Sequence, residues 1–485
     1  MKQASKWLIF TLVAIAQFMV VLDTAITNVA LPAIKQQLHF TDSSLQWVVT
    51  AYALTFGGFL LLGGRAADLF GRRRVLLSGM GAFTLFSLLI GLSHSTAELI
   101  VLRALQGMAA AFMSPSALSI VLTTFRDGGE ARNKALAYWT LVATAGAAIG
   151  LLLGGVLTEY VSWQWNFFIN VPVGLIMLPL ITLFVPRHDR AEEYTGLDLP
   201  GAVTITGGIM LLVLGFSQAG NWGWLSGSTL GVFGAALALL TAFVFNESRA
   251  RHPLIPLSIF RIRNVTGANL MMAPMYGTML GIFFLITLYL QSVLRYSPVV
   301  TGLAFLPIPL ILGFMSTRIP GLVARFGYRR WLILGPTLVA IALAWLSQLP
   351  VAGHYGINLL PAFVLLPIGV GMTFLPIVAS ATSGVPAHQA GLASGLVTTS
   401  QMTGGALGLS ILSSVAASVT ASSVHLGPRA ALVHGFDGAM LVAIAFMVLA
   451  VLLAIGVIRQ QGPGETQQES TETRGDRRLH PVTEG

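Results

Sequence analysis

The sequence has no cysteine and little charge. Only 9% of its 485 residues are Asp, Glu, Lys or Arg, whereas a soluble domain has about 25%. The absence of cysteine excludes disulfides, thiolate metal sites and cysteine nucleophiles. None of the four lysines follows a glycine, which excludes a Walker A loop and therefore ATP as the energy source through that motif. A chain with so few charges and a mean hydropathy of +0.79 is expected to reside in lipid.

The sequence also offers few groups for catalysis. Its nine histidines show no zinc-ligand spacing, and its serines and threonines lack a paired base. We therefore expect no catalytic residue, no metal site, no cofactor and no enzymatic activity. A membrane-embedded transferase is a distant alternative, because the predicted outer loops lack a cluster of acidic residues.

Long hydrophobic runs dominate the chain. Fourteen of them lie between residues 7 and 458, the first at 7–31 and the last at 437–458. About 20 apolar residues cross a bilayer as a helix. We therefore predict an all-α polytopic membrane protein with 14 transmembrane helices. The first run is too long for the hydrophobic part of a signal peptide and is expected to remain as a span.

The basic residues support this segmentation. When alternate loops are assigned to the cytoplasm, starting with the N-terminus, 23 of the 27 Lys and Arg fall inside. Only Lys35, Arg295 and Arg429 fall outside, and Arg103 lies within a run. This bias predicts a multi-pass protein of the cell membrane with both termini in the cytoplasm. It also explains the basic pI without nucleic-acid binding.

A short repeat divides the chain into two halves. Residues 70–79 and 326–335 share six of ten positions at an offset of 256. Both segments lie in basic loops, with eight runs between them rather than six, so the two runs at 199–218 and 227–246 are predicted to be an insert between two six-helix bundles. The predicted divisions are a first bundle at 1–190, the insert and linker at 191–263, a second bundle at 264–460, and a disordered cytoplasmic tail at 461–485.

Two charges stand out within the apolar runs. Asp23 is the only carboxylate, and Arg103 the only arginine, that the predicted spans place deep in the membrane. A charge at the bilayer centre costs roughly 2.5–3.5 kcal/mol on insertion scales, so it usually marks an ion or substrate path. Both residues lie about 10–13 Å from the predicted outer ends of their helices. We expect them to share one cavity, with a purely structural ion pair as the alternative.

Several motifs resemble one transporter family. The loop 64–74 is similar to the signature between the second and third helices of the major facilitator superfamily. Residues 22–32 and 163–174 resemble segments of its fourteen-span drug:proton antiporters, the EmrB/QacA type. Residues 102–107 resemble the fourth-helix motif whose arginine serves proton coupling in that family. The resemblance implies the major facilitator fold and proton-coupling roles for Asp23 and Arg103.

The resemblance also implies a conformational latch and a close helix contact. The latch consists of residues in the loop that follows the second predicted helix: Gly64, Asp68, Gly71, Arg72 and Arg73. The close contact is made by glycines of the fifth-helix antiporter motif: Gly146, Gly150, Gly154 and Gly155. Leu151 replaces the usual proline of that motif, which modestly weakens the case for antiport.

Beside Asp23 we expect a substrate cavity lined by adaptable aromatic, methionine and amide side chains. The candidates are Asn28, Tyr52, Gln106, Met272, Met275, Tyr276 and Phe374. A lone acid suits a lipophilic cation, although the family also exports neutral and anionic compounds. The predicted function is export of lipophilic, cationic drugs or toxic compounds in exchange for protons by alternating access. The expected partners are the small-molecule substrate, protons and the lipid bilayer. The sequence leaves undecided whether a periplasmic adaptor also takes part.

Two other functions remain as alternatives. A proton-coupled importer of a nutrient or metabolite would use the same fold in the opposite direction. A non-transporting membrane receptor would need no group that binds and releases protons.

Overall fold

A computed structural model describes residues 5–125, 129–186, 198–250, 253–382, 385 and 390–458. These residues form helices and no strand, and 14 of the helices are long and apolar enough to cross a membrane. The predicted all-α polytopic fold with 14 spans is thereby confirmed. The tail at 461–485 and the insert's first residues at 191–197 lie outside the described residues.

The first bundle consists of six helices, of which the sixth has a short break. They are Lys6–Leu38 (α1), Trp47–Phe70 (α2), Arg72–Gly91 (α3), Thr96–Thr124 (α4), Gly129–Tyr160 (α5), and Trp165–Phe168 with Asn170–Phe184 (α6). Side-chain caps start several of these helices. Ser5 accepts a hydrogen bond from the Leu8 N–H, and Ser95 accepts one from the Glu98 N–H.

The insert and the second bundle follow. The insert helices are Leu199–Trp222 (α7) and Gly227–Arg249 (α8). The second bundle comprises Arg263–Leu288 with the π turn Tyr289–Val293 (α9), Pro298–Phe305 with Pro307–Phe326 (α10), Arg329–Leu346 (α11), the π turn Tyr355–Leu359 with Leu360–Thr382 (α12), Ala390–Ser422 (α13) and Pro428–Gly456 (α14).

Several helices, among them α1 and α14, extend beyond their predicted ends. Helix α1 continues through Pro32 to Leu38, and α14 begins at Pro428 rather than at Asp437. Asp437 therefore lies nine residues inside α14, so the expectation that Asp23 is the only carboxylate deep within an apolar helix is wrong. Hydropathy misses such extensions because polar residues at a helix end can reach the headgroup region, where the helix continues without apolar side chains.

The repeated loops have the same local structure. Gly71 and Gly327, which are 256 residues apart, both have positive φ angles, of 94° and 73°, a conformation that favours glycine. Arg73 donates a hydrogen bond to the Thr182 carbonyl in α6, and Arg329 donates one to the Ile455 carbonyl in α14 at 2.9 Å. Each loop thus caps the last helix of its own bundle.

The two bundles meet along two equivalent helix pairs, α2 with α13 and α5 with α10. Gln291 Nε2 donates to the Val29 carbonyl at 3.0 Å, and the Val299 N–H donates to Glu159 Oε2 at 2.9 Å. Both hydrogen bonds join the bundles at the end opposite the loop 64–74. The bundles are therefore held together at that end.

The insert covers one of these interfaces. Helix α7 packs on both α2 and α13. Gln46 at the start of α2 donates to Ser217 of α7 at 2.7 Å and accepts a hydrogen bond from Ser413 of α13. One buried amide thus connects the first bundle, the insert and the second bundle.

Candidate functional site: a buried ion pair beside a central cavity

The centre of the first bundle contains a fully buried ion pair. Arg103 Nη1 lies 2.6 Å from Asp23 Oδ2. The side chains of Arg103 and Asp23 are 1% and 0% exposed. The structure thus brings together the two charges that the sequence predicted to be at similar depth.

Amides and a hydroxyl complete the network. Gln106 Nε2 donates to Asp23 Oδ1 at 2.9 Å and to Ser87 Oγ at 2.8 Å. Asn170 Nδ2 donates to the same Asp23 oxygen at 3.1 Å. Arg103 Nη1 also donates to Gln106 Oε1 at 2.5 Å. Helices α1, α3, α4 and α6 each contribute a side chain, so the network connects four helices of one bundle.

Close packing of α2 against α4 positions the arginine. A Cβ atom on Gly107 would lie 2.3 Å from the Tyr52 carbonyl oxygen, so only glycine permits this approach. One turn earlier on α4, Arg103 Nε donates to the Val48 carbonyl at 2.9 Å. The guanidinium carbon lies 4.4 Å from the centre of the Tyr52 ring. The arginine is therefore held by a carboxylate, a carbonyl and an aromatic face.

A cavity of about 460 Å³ lies between the two bundles, next to this network. Arg103 and Tyr52 line it, whereas Asp23 does not. The polar lining residues are Gln17, Thr24, Asn28, Tyr52, Arg103, Ser114, Tyr276, Thr398 and Gln401. The arginine therefore faces the ion pair on one side and the cavity on the other.

The structure places the predicted cavity residues in three groups. Asn28, Tyr52 and Tyr276 line the cavity. Gln106 belongs to the buried network. The remaining three do not line the cavity: Met272 and Met275 are buried in the core, and Phe374 packs against Tyr276 with ring centres 6.0 Å apart. Sequence position along a helix that is apolar on all sides does not show which face is inward.

The predicted latch residues lie where α2 turns into α3. Arg72 Nη2 pairs with Asp68 Oδ1 at 3.3 Å, and Gly71 provides the turn. Arg73 caps α6 through its hydrogen bond to the Thr182 carbonyl. A Cβ atom on Gly64 would be 3.8 Å from Pro115, which is ordinary contact.

The predicted packing glycines lie along the contact of α5 with α1. Cβ atoms on Gly150 and Gly154 would be 2.8 Å from Ala25 and Ile26 atoms, and Gly146 lies near Phe18 and Val21. Gly155 instead faces α10 of the second bundle, where a Cβ would be 2.7 Å from the Pro298 carbonyl oxygen. The first three glycines bring α5 close to the helix that carries Asp23, and the fourth serves the interface between the bundles.

Sequence reasoning missed three polar residues. Asn170 and Ser87 join the ion-pair network. Each is a single polar residue within an apolar run, a signal too common to single it out. The third is Asp437, whose buried Oδ1 has no hydrogen-bond partner among the described residues. Within that same part of the chain, no three His, Cys, Asp or Glu residues form a possible metal site.

Among the described residues, 14 helices are long and apolar enough to cross a membrane. Twelve of them form two bundles around a central cavity and two form the insert, which defines a multi-pass membrane protein of the transporter type. The family model described as the Major Facilitator Superfamily matches residues 13–409. The chain belongs to this superfamily, as its motifs predicted.

Two relatives are similar over nearly their whole length. The chain is 40% identical to the puromycin resistance protein pur8 of Streptomyces alboniger, covering 92% of this chain and 90% of that protein. It is also 40% identical to the cephamycin export protein CmcT of Amycolatopsis lactamdurans, covering 93% and 92% of the two chains.

Solved structures show the same fold. A bacterial homologue of the human lysosomal transporter Spinster, in an inward-facing and unoccupied conformation, superimposes with a TM-score of 0.66 at 14% identity. It covers 93% of this chain and 96% of that one. The xylose transporter XylE from E. coli gives a TM-score of 0.61 at 15% identity, covering 97% and 100%. At these identities the likeness concerns the fold alone.

Proposed function

We propose that the protein exports lipophilic drugs or toxic compounds in exchange for protons. The observation that carries the proposal is the sealed Asp23–Arg103 pair in the wall of a cavity between two bundles. Near full-length relatives that are named for antibiotic resistance and export support the direction. The protein is then a transporter and not an enzyme, with no cofactor and with the proton gradient as its energy source.

Arg103 provides the proposed link between substrate and proton. Removing one partner of a buried ion pair costs about 3–5 kcal/mol, because the other charge is left uncompensated. If substrate in the cavity draws Arg103 away, Asp23 avoids that cost by taking up a proton. When Arg103 returns, it favours the ionised carboxylate and the proton leaves. The membrane potential adds about 2.3 kcal/mol per charge per 100 mV to the inward proton movement.

The proposed orientation places both termini and the loop 64–74 in the cytoplasm of a cell-membrane protein, following the distribution of Lys and Arg. The hydrogen bonds of Gln291 and Val299 between the bundles then close the outer end. The Asp68–Arg72 pair would act as a latch in the complementary step, when the inner end closes. The proposed partners are substrate, protons and lipid, without nucleic acid.

Two measurements test the proposal. Expression in a drug-sensitive bacterium should raise the concentrations of puromycin or lincomycin that inhibit growth, and Asp23→Asn should abolish the increase at equal protein levels. In acidified everted vesicles, the same drug should dequench a pH-sensitive dye only with the unaltered protein. Increased sensitivity would favour an importer, and full activity of Asp23→Asn would favour a receptor or regulator without proton coupling.

A further inference from the structure

The charge of the cavity wall restricts what the cavity can bind. Among the described residues, Arg103 is the only charged side chain that lines it, and Arg103 is already neutralised by Asp23 behind it. A cation that enters would lose hydration and find no carboxylate in the wall. The Tyr52 ring offers little compensation because its face is occupied by the Arg103 guanidinium, 4.4 Å from its centre. The other lining rings, those of Phe56, Trp139, Tyr276 and Phe283, can offer a cation a ring face but no full negative charge.

Two buried polar atoms of the wall lack partners. Asn28 is 6% exposed, and its Oδ1 has no hydrogen-bond partner within the described part of the chain. Its amide nitrogen is held by the Thr24 carbonyl at 2.9 Å, which leaves Oδ1 as the free acceptor. The Tyr52 hydroxyl, on a side chain 3% exposed, lies beside Thr24 but has no partner at hydrogen-bond distance among the described residues. Buried groups of this kind usually have a partner, and a bound solute can provide it.

The opposite wall is mostly apolar, and its polar residues are Tyr276, Thr398 and Gln401. Helices α9 and α10 contribute Met279, Leu280, Phe283, Ile308 and Leu312. A solute that fits both walls has an apolar face toward the second bundle and a polar face toward Asn28 and Tyr52. The volume of about 460 Å³ lies within the range of cavities that hold drug-sized molecules.

We propose that this cavity binds an uncharged amphipathic solute that donates a hydrogen bond to Asn28 Oδ1, in preference to a lipophilic cation. The inference rests on the proposed function, because it takes this cavity as the place where the exported compound binds. Substrate and proton then use different groups: the solute contacts Asn28 and Tyr52, while the proton binds the sealed carboxylate.

The lack of cysteine in the chain allows a binding test that does not depend on transport. Ala147 lines the cavity, so Ala147→Cys places one thiol there. His425 is exposed outside the cavity, so His425→Cys is the matched control. The rate of alkylation by N-ethylmaleimide is measured at pH 8 with three matched probes: the neutral dansyl amide of ethanolamine, its trimethylammonium analogue, and dansylglycine.

The neutral probe should slow alkylation of Ala147→Cys about tenfold more than the cation does, a ratio equivalent to about 1.4 kcal/mol. None of the probes should affect His425→Cys. Adding Asn28→Asp, which introduces a carboxylate of almost the same shape, should reverse the preference toward the cation. Equal protection by all probes, stronger protection by the cation, or no protection by the neutral probe would overturn the proposal.

This result is independent of the test of export. Protection by the neutral probe in a protein that confers no resistance would contradict the proposed function and leave the binding preference intact. Resistance without protection by the neutral probe would support the proposed function and contradict the binding preference.

Discussion

The two bundles share a framework but differ at their centres. Both have a positive-φ glycine and a capping arginine at equivalent positions, and both use glycines for close helix contacts. At the offset of 256, however, Asp23 corresponds to Met279 and Arg103 to Leu359. The shared features maintain the fold of each bundle. Under the proposed function, this difference would assign proton handling to the first bundle and mainly apolar contact with substrate to the second.

The largest expected effect comes from breaking the ion pair. Arg103→Ala should destabilise the first bundle by about 3–5 kcal/mol, because the Asp23 carboxylate would be buried without a counterion. It should also abolish drug-driven proton flux. Thermal unfolding of the detergent-solubilised protein and dye dequenching in vesicles measure the two effects. The matched substitution in the second bundle, Leu359→Met, should change stability by less than about 1.5 kcal/mol.

Adding Asp23→Asn to Arg103→Ala should recover part of the lost stability, because no uncompensated charge remains, but not the proton flux. If the double variant were as unstable as the single one, the charge would not be the cause of the effect.

Close helix contacts in both bundles should be similarly sensitive to a methyl group added at a glycine. A Cβ on Gly154 would lie 2.9 Å from the Ile26 Cα, and one on Gly408 would lie 2.3 Å from the Gly277 Cα. Gly154→Ala and Gly408→Ala should each destabilise the protein by about 1–3 kcal/mol through overpacking. Size-exclusion chromatography and thermal unfolding detect the loss.

Gly231 of α8 is a matched control, since no described atom other than those of its chain neighbours and its own helix backbone lies within 4 Å of its Cβ position. Gly231→Ala should leave stability unchanged or raise it slightly. Tolerance of alanine at Gly408 but not at Gly154 would show that the second bundle packs less tightly than its structure indicates.

The two capping arginines should have equal and moderate effects. Arg73→Ala and Arg329→Ala each remove a hydrogen bond to a carbonyl near the end of the sixth helix of a bundle. Each should cost about 1 kcal/mol of stability, which thermal unfolding can measure. A loss of transport with Arg73→Ala alone, at unchanged stability, would give the first loop a function that the second loop lacks.

The last comparison concerns the insert, which belongs to neither bundle. Asp198 caps α7 and accepts hydrogen bonds from the Gly201 N–H and from Asn246 Nδ2, both at 2.9 Å. Burial raises the pKa of Asp198, but these hydrogen bonds outweigh burial and hold the pKa below its ordinary value. The Asp198 carboxylate binds a proton more tightly in the unfolded state than in the folded state. Its contribution to the free energy of unfolding is therefore fully present above the ordinary Asp pKa of about 4. It is lost as the pH falls through the lower folded-state pKa.

Thermal unfolding between pH 7 and pH 3 tests this expectation. Asp198→Asn preserves a capping side chain and should reduce the loss of stability at acid pH. Asp198→Ala should instead cost about 1 kcal/mol at pH 7, where the cap is lost. An unchanged acid response with Asp198→Asn would assign the pH dependence to other carboxylates.

Much of the fold was predictable because the bilayer restricts it. A span needs about 20 apolar residues, and basic loops remain on one side. These constraints indicated 14 spans, and the repeated loop indicated the insert. They did not indicate that α14 starts at Pro428, and so they missed Asp437.

The candidate site was predictable in part. Asp23 and Arg103 were identifiable because charge is rare within apolar runs. Asn170 and Ser87 were not, because a single amide or hydroxyl in a span is common and its partner lies on another helix. The positions of Met272 and Met275 in the core, away from the cavity, depend on helix rotation.

The sequence by itself determined how often the chain crosses the membrane, where its halves repeat, and which two charges lie in the apolar interior. Each of these follows from hydropathy, charge or local similarity, and none depends on contacts between residues that are distant in the sequence. Only the tertiary structure decided that Arg103 faces the cavity while Asp23 is sealed behind it. Helices that are apolar on most faces can rotate and pack in several ways, and side-chain contacts between helices select one of them.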